Sequence, residues 1–178
     1  MPPSPEPEYL MSPEQKALVK ETWHEVAPMA ETAARLFYDR LFEIDPTTRP
    51  LFKATDLAEQ RRKLIQALTM VVQGLDRQEA LIPTLAALGR RHGNYGVAAG
   101  HYESVRAALL WTLEQGLGTK WTPEVRAAWS AAYILVADVM RRAANESTPP
   151  SDHSALDCEH DVIQAELFGV ALTGRFGI

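Results

Sequence analysis

Apolar residues recur at steps of three and four along most of the chain, the spacing of one face of an α-helix. Six such stripes follow one another, and no segment alternates apolar and polar residues with the period of two that strands show. The pattern therefore predicts an all-α protein of six helices. The stripes are Val19, Trp23, Val26 and Ala30; Phe37 and Leu41; Leu57, Leu64, Leu68, Val71 and Leu75; Leu81, Leu85, Leu88 and His92; Tyr102, Val105, Leu109 and Leu113; and Val125, Trp129, Tyr133, Val136, Met140 and Ala143.

Capping residues, prolines and glycines mark where these helices begin and end. Ser12 followed by Pro13 and Gln15 is a typical helix start, with a cap, a proline in the first position and a glutamine that can bond back to the cap. We therefore expect the ordered domain to begin near residue 12. The other predicted boundaries are Pro28, Pro46, a tight corner at Pro50-Leu51-Phe52, Gly74 with Asp76, Gly93 with Gly96, Gly116 with Gly118, and the helix start Thr122-Pro123-Glu124.

The two ends of the chain differ in composition from the part between them. Residues 1–11 are rich in proline, and residues 146–161 are rich in Ser, Thr, Pro, Asp and His, as solvated linkers are. Apolar residues return in 162–178 at a spacing that allows a short amphipathic helix. We therefore predict an extension at 1–11, a helical domain at 12–144, and a linker with a short amphipathic tail at 145–178.

Charge and length exclude several classes of protein. The 178 residues suit a single domain, and 18 Lys+Arg against 23 Asp+Glu give a net charge of −5. A nucleic-acid or anionic-membrane partner has no support from that charge, and no apolar run approaches the ~20 residues of a membrane span. With a single cysteine, Cys158, an intramolecular disulfide is not possible. A cytoplasmic location is the resulting expectation.

Familiar catalytic motifs do not occur in the chain. There is no glycine-rich phosphate loop, Cys-x-x-Cys pair, His-Glu-x-x-His helix or nucleophile elbow. Cys158 with His153 and His160 lacks a convincing fourth zinc ligand and lies in the solvated linker. Hydrolytic and zinc chemistry are therefore disfavoured.

His92 is the most informative polar residue, because it ends an otherwise apolar helical stripe. A histidine in that position is usually a buried residue with a satisfied ring, and the tyrosine Tyr38 and the amide Gln60 have equally ordinary structural explanations. A helical domain that encloses a flat apolar cofactor, however, needs one neutral imidazole for its metal and few other polar groups. His92 suits that role, so both interpretations stay open.

Two further residues, Leu64 and Phe52, fit the cofactor interpretation. Leu64 follows Gln60 by four residues, so one helix face carries an apolar side chain and an amide donor side by side. Phe52 comes directly after the predicted corner, where its ring can pack against a cofactor plane or serve equally well as a core anchor.

Several short blocks of sequence carry a resemblance that decides between these interpretations. They are Leu36-Phe37-Tyr38, Pro46, Leu51-Phe52, Gln60-Arg61-Arg62-Lys63-Leu64, Val72-Gln73-Gly74, Leu81-Ile82-Pro83-Thr84-Leu85, Leu88-Gly89-Arg90-Arg91-His92 and Tyr95-Gly96-Val97. In this order and spacing they resemble the bacterial globins, and in particular the single-domain relatives of flavohaemoglobin. The resemblance covers roughly Ser12 to Ala144 and implies the globin fold, a three-over-three helical sandwich.

The resemblance also implies a cofactor, haem b, and roles for individual residues. By matching position, His92 is the proximal ligand of the iron, Tyr38 and Gln60 are the hydrogen-bonding residues on the distal side, and Tyr102 lies on the proximal side. Residues implied to contact the haem are Phe52, Leu64, Leu88, His92 and Val97.

One family feature is missing. In flavohaemoglobins a glutamate late in the last helix works with the tyrosine and the proximal histidine, which makes the imidazole more electron-rich. Ala143 or Ala144 occupies that position here, and Glu146 is only near it. The absence weakens any peroxidase-like or strongly reducing role.

Three functions follow from the resemblance. The first is reversible, high-affinity binding of dioxygen through Tyr38 and Gln60. The second is nitric oxide dioxygenation in the same pocket, which would require a separate reductase, because 178 residues leave no room for a fused one. The third is a haem-based gas or redox sensor in which residues 145–178 dock a partner.

Overall fold

Six α-helices make up most of the computed structural model, which describes residues 11–94 and 97–146, apart from the side chain of Asn94. No strand occurs within these residues, so the all-α prediction is confirmed. None of the helices in the described part of the chain is long and apolar enough to cross a bilayer. The helices are α1 (Pro13–Val26), α2 (Ala30–Ile44), α3 (Leu57–Gly74), α4 (Gln78–Asn94), α5 (Ala99–Leu117) and α6 (Pro123–Glu146). Short 3₁₀ helices cover Ala27–Met29, Pro46–Phe52, Leu75–Arg77 and Gly118–Lys120.

The start of α1 follows the prediction from local sequence. The Ser12 hydroxyl accepts a hydrogen bond from the Gln15 amide at 3.2 Å, and the Gln15 side chain accepts one from the Ser12 amide at 3.0 Å. These reciprocal bonds satisfy two amide groups that an α-helix leaves without a partner at its first turn.

The end of α4 differs from the prediction. We expected Gly93 to break the helix, but α4 continues through it to Asn94. The cause is tertiary: a Cβ added at Gly93 would lie 3.1 Å from the Cβ of Ala144 in α6. Glycine is there because the neighbouring helix is close, and packing outweighs its low helix propensity.

The six helices form two layers, with α1, α3 and α4 in one and α2, α5 and α6 in the other. The most extensive helix contacts are those of α4 with α6, of α2 with α5 and of α1 with α6. A buried hydrogen bond of 2.9 Å from the Trp129 indole to the Thr22 hydroxyl joins α6 to α1. This arrangement is the predicted three-over-three sandwich.

The crossing of α4 and α6 depends on Gly89. A Cβ built at this residue would lie 2.2 Å from the carbonyl oxygen of Met140, a distance that real Cβ atoms do not reach. The two helix backbones are therefore in direct contact one turn before His92, and this contact fixes the height and rotation of α4 over the core.

We expect Gly89→Ala to lower the free energy of unfolding by about 1–3 kcal/mol, the usual cost of overpacking, because the new methyl group must push α4 away from α6. Gly100→Ala is the matched control, since a Cβ there would meet no atom within 4 Å. That control should be neutral or slightly stabilising, because alanine is the better helix former. Urea unfolding followed by circular dichroism measures both, and equal losses in the two variants would contradict the account of the crossing.

Candidate functional site

The main cavity of the protein lies between the two layers, enclosed by α3 and α4 on one side and by α5 and α6 on the other. The centres of water molecules can occupy about 130 Å³ of it. Protein cores rarely leave voids larger than one water molecule, so a space of this size points to a bound molecule. Its walls are mainly aliphatic and aromatic, and include Phe37, Leu64, Leu68, Val71, Leu85, Leu88, Val97, Leu109, Val136 and Met140.

His92 lies on the cavity wall and is 6% exposed. Its Nδ1 is 2.9 Å from the carbonyl oxygen of Leu88. A carbonyl can only accept, so Nδ1 carries the proton and the lone pair of the ring is on Nε2. Burial lowers the pKa of His92, and the bond to Leu88 opposes that effect only in part. The ring is therefore a neutral imidazole, the form that binds metal ions.

A bare metal ion has no site in this cavity. Among the described residues there is no group of three or more His, Cys, Asp or Glu side chains that could hold one. The described side chains therefore offer His92 no cluster of further metal ligands.

Tyr38 and Gln60 are two buried polar side chains near this cavity, with exposures of 2% and 0%. The Tyr38 hydroxyl and both amide atoms of Gln60 lack a hydrogen-bond partner among the described residues. Leaving a buried polar group unsatisfied costs about 1–3 kcal/mol, so three such atoms together call for a missing partner. A ligand able to accept hydrogen bonds would satisfy the Tyr38 hydroxyl and the Gln60 amide nitrogen, whereas the Gln60 amide oxygen needs a donor.

The ionisation state of Tyr38 follows from the same burial. Burial raises the pKa of its hydroxyl well above the usual value, and the nearby Gln60 amide and Arg61 guanidinium only partly offset this. The Gln60 side chain is near enough to influence the phenol, but no hydrogen bond of normal geometry joins the two. Tyr38 is therefore a protonated phenol, which is able to donate.

Neither Tyr38 nor Gln60 is among the residues that line the cavity. Their neighbours do line it: Phe37 precedes Tyr38 on α2, and Leu64 is one helical turn after Gln60 on α3. The two polar groups thus lie beside residues that line the cavity, on α2 and on α3.

Phe52 also lies outside the cavity lining. Its half-buried ring packs against Tyr38, with ring centroids 5.5 Å apart, and against Phe42 at 5.6 Å. The sequence placed Phe52 against a cofactor plane, and the structure places it in the aromatic cluster around Tyr38.

Tyr102 lines the cavity from α5. Its carbonyl oxygen accepts a hydrogen bond of 2.6 Å from the hydroxyl of Tyr133, which also lines the cavity. The guanidinium of Arg141 is 5.9 Å from the centre of the Tyr102 ring. Burial raises the pKa of Tyr102, and the positive charge of Arg141 opposes the rise.

Two polar residues of the cavity lining were not predicted as site residues from the sequence, Tyr133 and His101. Tyr133 lies on the apolar stripe of α6 and carried no signal that set it apart from core residues. His101 lies in the first turn of α5, where its Nδ1 accepts from the Ala98 amide at 3.0 Å. A histidine at this position resembles an ordinary helix-capping residue, so the sequence did not indicate that it lines a cavity.

The expected position of the family glutamate is occupied by small residues at the end of α6. Ala144 packs against Gly93, the residue after His92, and the proton on His92 Nδ1 is directed to the backbone carbonyl of Leu88. Residues Tyr95, Gly96, His153, Cys158 and His160, and the predicted tail as a whole, lie outside the described residues.

Comparison with known proteins gives a consistent result. The family profile described as Globin matches residues 35–140. A flavohemoprotein of Bordetella parapertussis is 32% identical over 133 residues, which is 74% of this chain and 33% of that protein. A flavohemoprotein of Bacillus subtilis is 30% identical over 123 residues, or 68% of this chain and 31% of that one. The chain thus spans about a third of the length of these relatives.

Solved structures show the same fold. A hexacoordinated heme protein from an anhydrobiotic tardigrade, crystallised at pH 4, superposes with a TM-score of 0.70 at 19% identity. The match covers 79% of this chain and 99% of the other. At this level of identity the likeness concerns the fold alone.

Proposed function

The chain belongs to the globin family, whose members bind haem, and from that premise we propose that it holds one haem b through His92 and binds dioxygen reversibly. In this proposal Tyr38 and Gln60 donate hydrogen bonds to the gas. Leu64, Leu88 and Val97 contact the cofactor.

The cavity and its residues fit such a cofactor. The walls are apolar, as the face of a porphyrin requires, and His92 offers a neutral imidazole with the lone pair on Nε2. Among the described residues no group of three or more metal-binding side chains occurs, which suits a metal whose other ligands belong to a macrocycle. Haem iron, when bound, supplies the reversible coordination of a diatomic gas.

The observation that carries the proposal is the pair of buried donors without partners. A haem held by His92 would supply the electron density that makes a bound gas a hydrogen-bond acceptor, and a hydrogen bond to a charged group is worth about 1.5–3 kcal/mol. The protonated Tyr38 hydroxyl and the Gln60 amide can each donate one, because neither is engaged with another described residue. The donors favour the bound state, so we expect dioxygen to leave slowly.

A titration of the full chain with hemin tests this proposal. We expect one haem per chain, a Soret band, and, after reduction, saturable and reversible changes in the spectrum as dioxygen is added and removed. A colourless protein that takes up no added hemin would end the haem assignment. Haem uptake without dioxygen binding would instead remove the carrier function alone.

Nitric oxide dioxygenation is the second candidate, favoured by the same donor pair and by the similarity to the globin part of flavohemoproteins. Sustained turnover needs electrons, and we propose that a separate reductase supplies them. The chain itself contributes the apolar cavity and the two donors.

Addition of nitric oxide to the dioxygen-loaded protein separates the two candidates. A carrier should form about one nitrate per haem and then stop. This should hold even when a generic flavin reductase with NADH is present, because the oxidised iron of a carrier is reduced to the ferrous state too slowly for turnover. An enzyme should form many nitrates per haem under the same conditions. Nitrate measured by ion chromatography gives the ratio.

A further inference from the structure

Tyr38 is held in a triangle of aromatic rings at the C-terminal half of α2. The centroid of its ring is 6.0 Å from that of Phe42 and 5.5 Å from that of Phe52, and the latter two rings are 5.6 Å apart. A fourth ring, Phe37, meets Tyr38 edge to face at 5.1 Å. The position of the Tyr38 ring is thus set by other rings, since its hydroxyl has no hydrogen bond to any described residue.

Phe42 links this triangle to the protein surface. It follows Tyr38 by one helical turn, is buried, and touches both other members of the triangle. The guanidinium of Arg49, an exposed residue of the 3₁₀ helix Pro46–Phe52, lies over the ring of Phe42 at 5.0 Å from its centre. This cation–π contact stabilises the position of the Phe42 ring.

A hydrogen-bond donor without a fixed partner is effective only if its position is fixed by other means. Tyrosine has two rotatable side-chain bonds, so loss of neighbouring rings lets the hydroxyl move by several tenths of an ångström or more, which weakens a hydrogen bond that depends on distance and angle.

We propose that Phe42, braced by Arg49, is a positioning residue that holds the Tyr38 hydroxyl where it donates to a bound diatomic gas. The inference rests on the proposed function, because it needs Tyr38 to act as that donor. Phe42 itself touches neither the cavity nor the ligand and acts only through Tyr38.

The test uses Phe42→Leu, Tyr38→Phe and the double variant, each as haem-loaded full chain. We expect Phe42→Leu to speed dioxygen dissociation by up to roughly tenfold, which is the ~0.5–1.5 kcal/mol of an aromatic pair converted at 1.4 kcal/mol per factor of ten. In the Tyr38→Phe background the same change should have no further effect, because the group it positions is gone. Stopped-flow replacement of dioxygen by carbon monoxide gives the rates.

The infrared frequency of the C–O stretch in the carbon monoxide complex is a second measurement. It responds to a hydrogen bond to the gas and not to a general loosening of the core. In Phe42→Leu this band should shift towards its position in Tyr38→Phe, as expected when a donor is displaced from the gas. Arg49→Gln should shift it in the same direction by less, and Arg49→Lys should restore part of the difference by returning a cation to the ring face. Since Arg49 is exposed, its variants should fold even if Phe42→Leu does not.

The outcomes distinguish this inference from the proposed function. If Tyr38→Phe leaves the dissociation rate and the infrared band unchanged, Tyr38 does not donate to the gas, and that part of the proposed function is wrong. If Tyr38→Phe acts but Phe42→Leu and Arg49→Gln do not, the positioning role alone is wrong. Equal effects of Phe42→Leu in both backgrounds would also overturn it, as would an equal band shift in Leu117→Ala, a control in the buried core of α5.

Discussion

Replacing His92 by alanine is expected to cost the protein its haem. His92 is the buried imidazole of the cavity, and its Nδ1 bond to Leu88 fixes both the tautomer and the rotation of the ring. Changes to the groups that merely support a metal ligand lower affinity by about 10–100-fold, so removal of the ligand itself should exceed that range. The loss of haem affinity is measured by mixing the haem-loaded variant with an excess of another haem-free protein that binds haem tightly and following the transfer.

His101→Ala is the matched control for this prediction. His101 is the other histidine on the cavity wall, but its Nδ1 accepts from the Ala98 amide and its Nε2 lies 3.3 Å from the Thr47 hydroxyl. Both ring nitrogens are thus engaged within the protein, and the variant should keep most of its haem affinity. Added imidazole should also restore haem binding to His92→Ala, by filling the space of the lost ring. A larger loss in His101→Ala than in His92→Ala would mean that we have assigned the wrong histidine.

Replacing Tyr38 by phenylalanine is expected to speed the release of dioxygen. The variant keeps the ring, so the aromatic contacts with Phe37, Phe42 and Phe52 remain and only the hydroxyl is lost. A hydrogen bond to a charged group contributes ~1.5–3 kcal/mol, which corresponds to a dissociation rate about 10- to 150-fold faster. The free energy of unfolding of the apoprotein should not fall, because an unsatisfied buried hydroxyl is removed.

Tyr133→Phe is the control for the loss of a tyrosine hydroxyl. Tyr133 also lines the cavity and is partly buried, but its hydroxyl already donates to the carbonyl oxygen of Tyr102 at 2.6 Å. Its removal should therefore destabilise the protein slightly and leave the release of dioxygen unchanged. Similar rates for the wild type and Tyr38→Phe would exclude Tyr38 from gas binding.

The helices of this protein could be predicted from sequence because their signals are local. Each signal involves residues only a few positions apart in the chain. Examples are the capping residues of α1, the apolar stripes and the glycines at the end of α5. The end of α4 could not be predicted in the same way. Gly93 has the sequence signature of a helix end, and only the nearby Ala144 of α6 explains why the helix continues.

The sequence predicted which residue types make up the candidate site, but not how these residues are arranged around the cavity. The stripe on α4 placed His92 towards the core, and Leu64 with Leu88 followed from the same periodicity. That Tyr38 and Gln60 lie beside the cavity, and that Phe52 braces Tyr38, depends on how α2, α3 and the corner between them pack. Such contacts between distant residues leave no periodic signal in the sequence.

A crystal structure of the haem-loaded chain would show whether the cavity holds the cofactor. We expect a haem between the two layers, held by Nε2 of His92, with the side chains of Tyr38 and Gln60 directed towards the gas-binding side. Iron bonded to a different histidine, or a cavity closed by side chains with the haem on the protein surface, would contradict it.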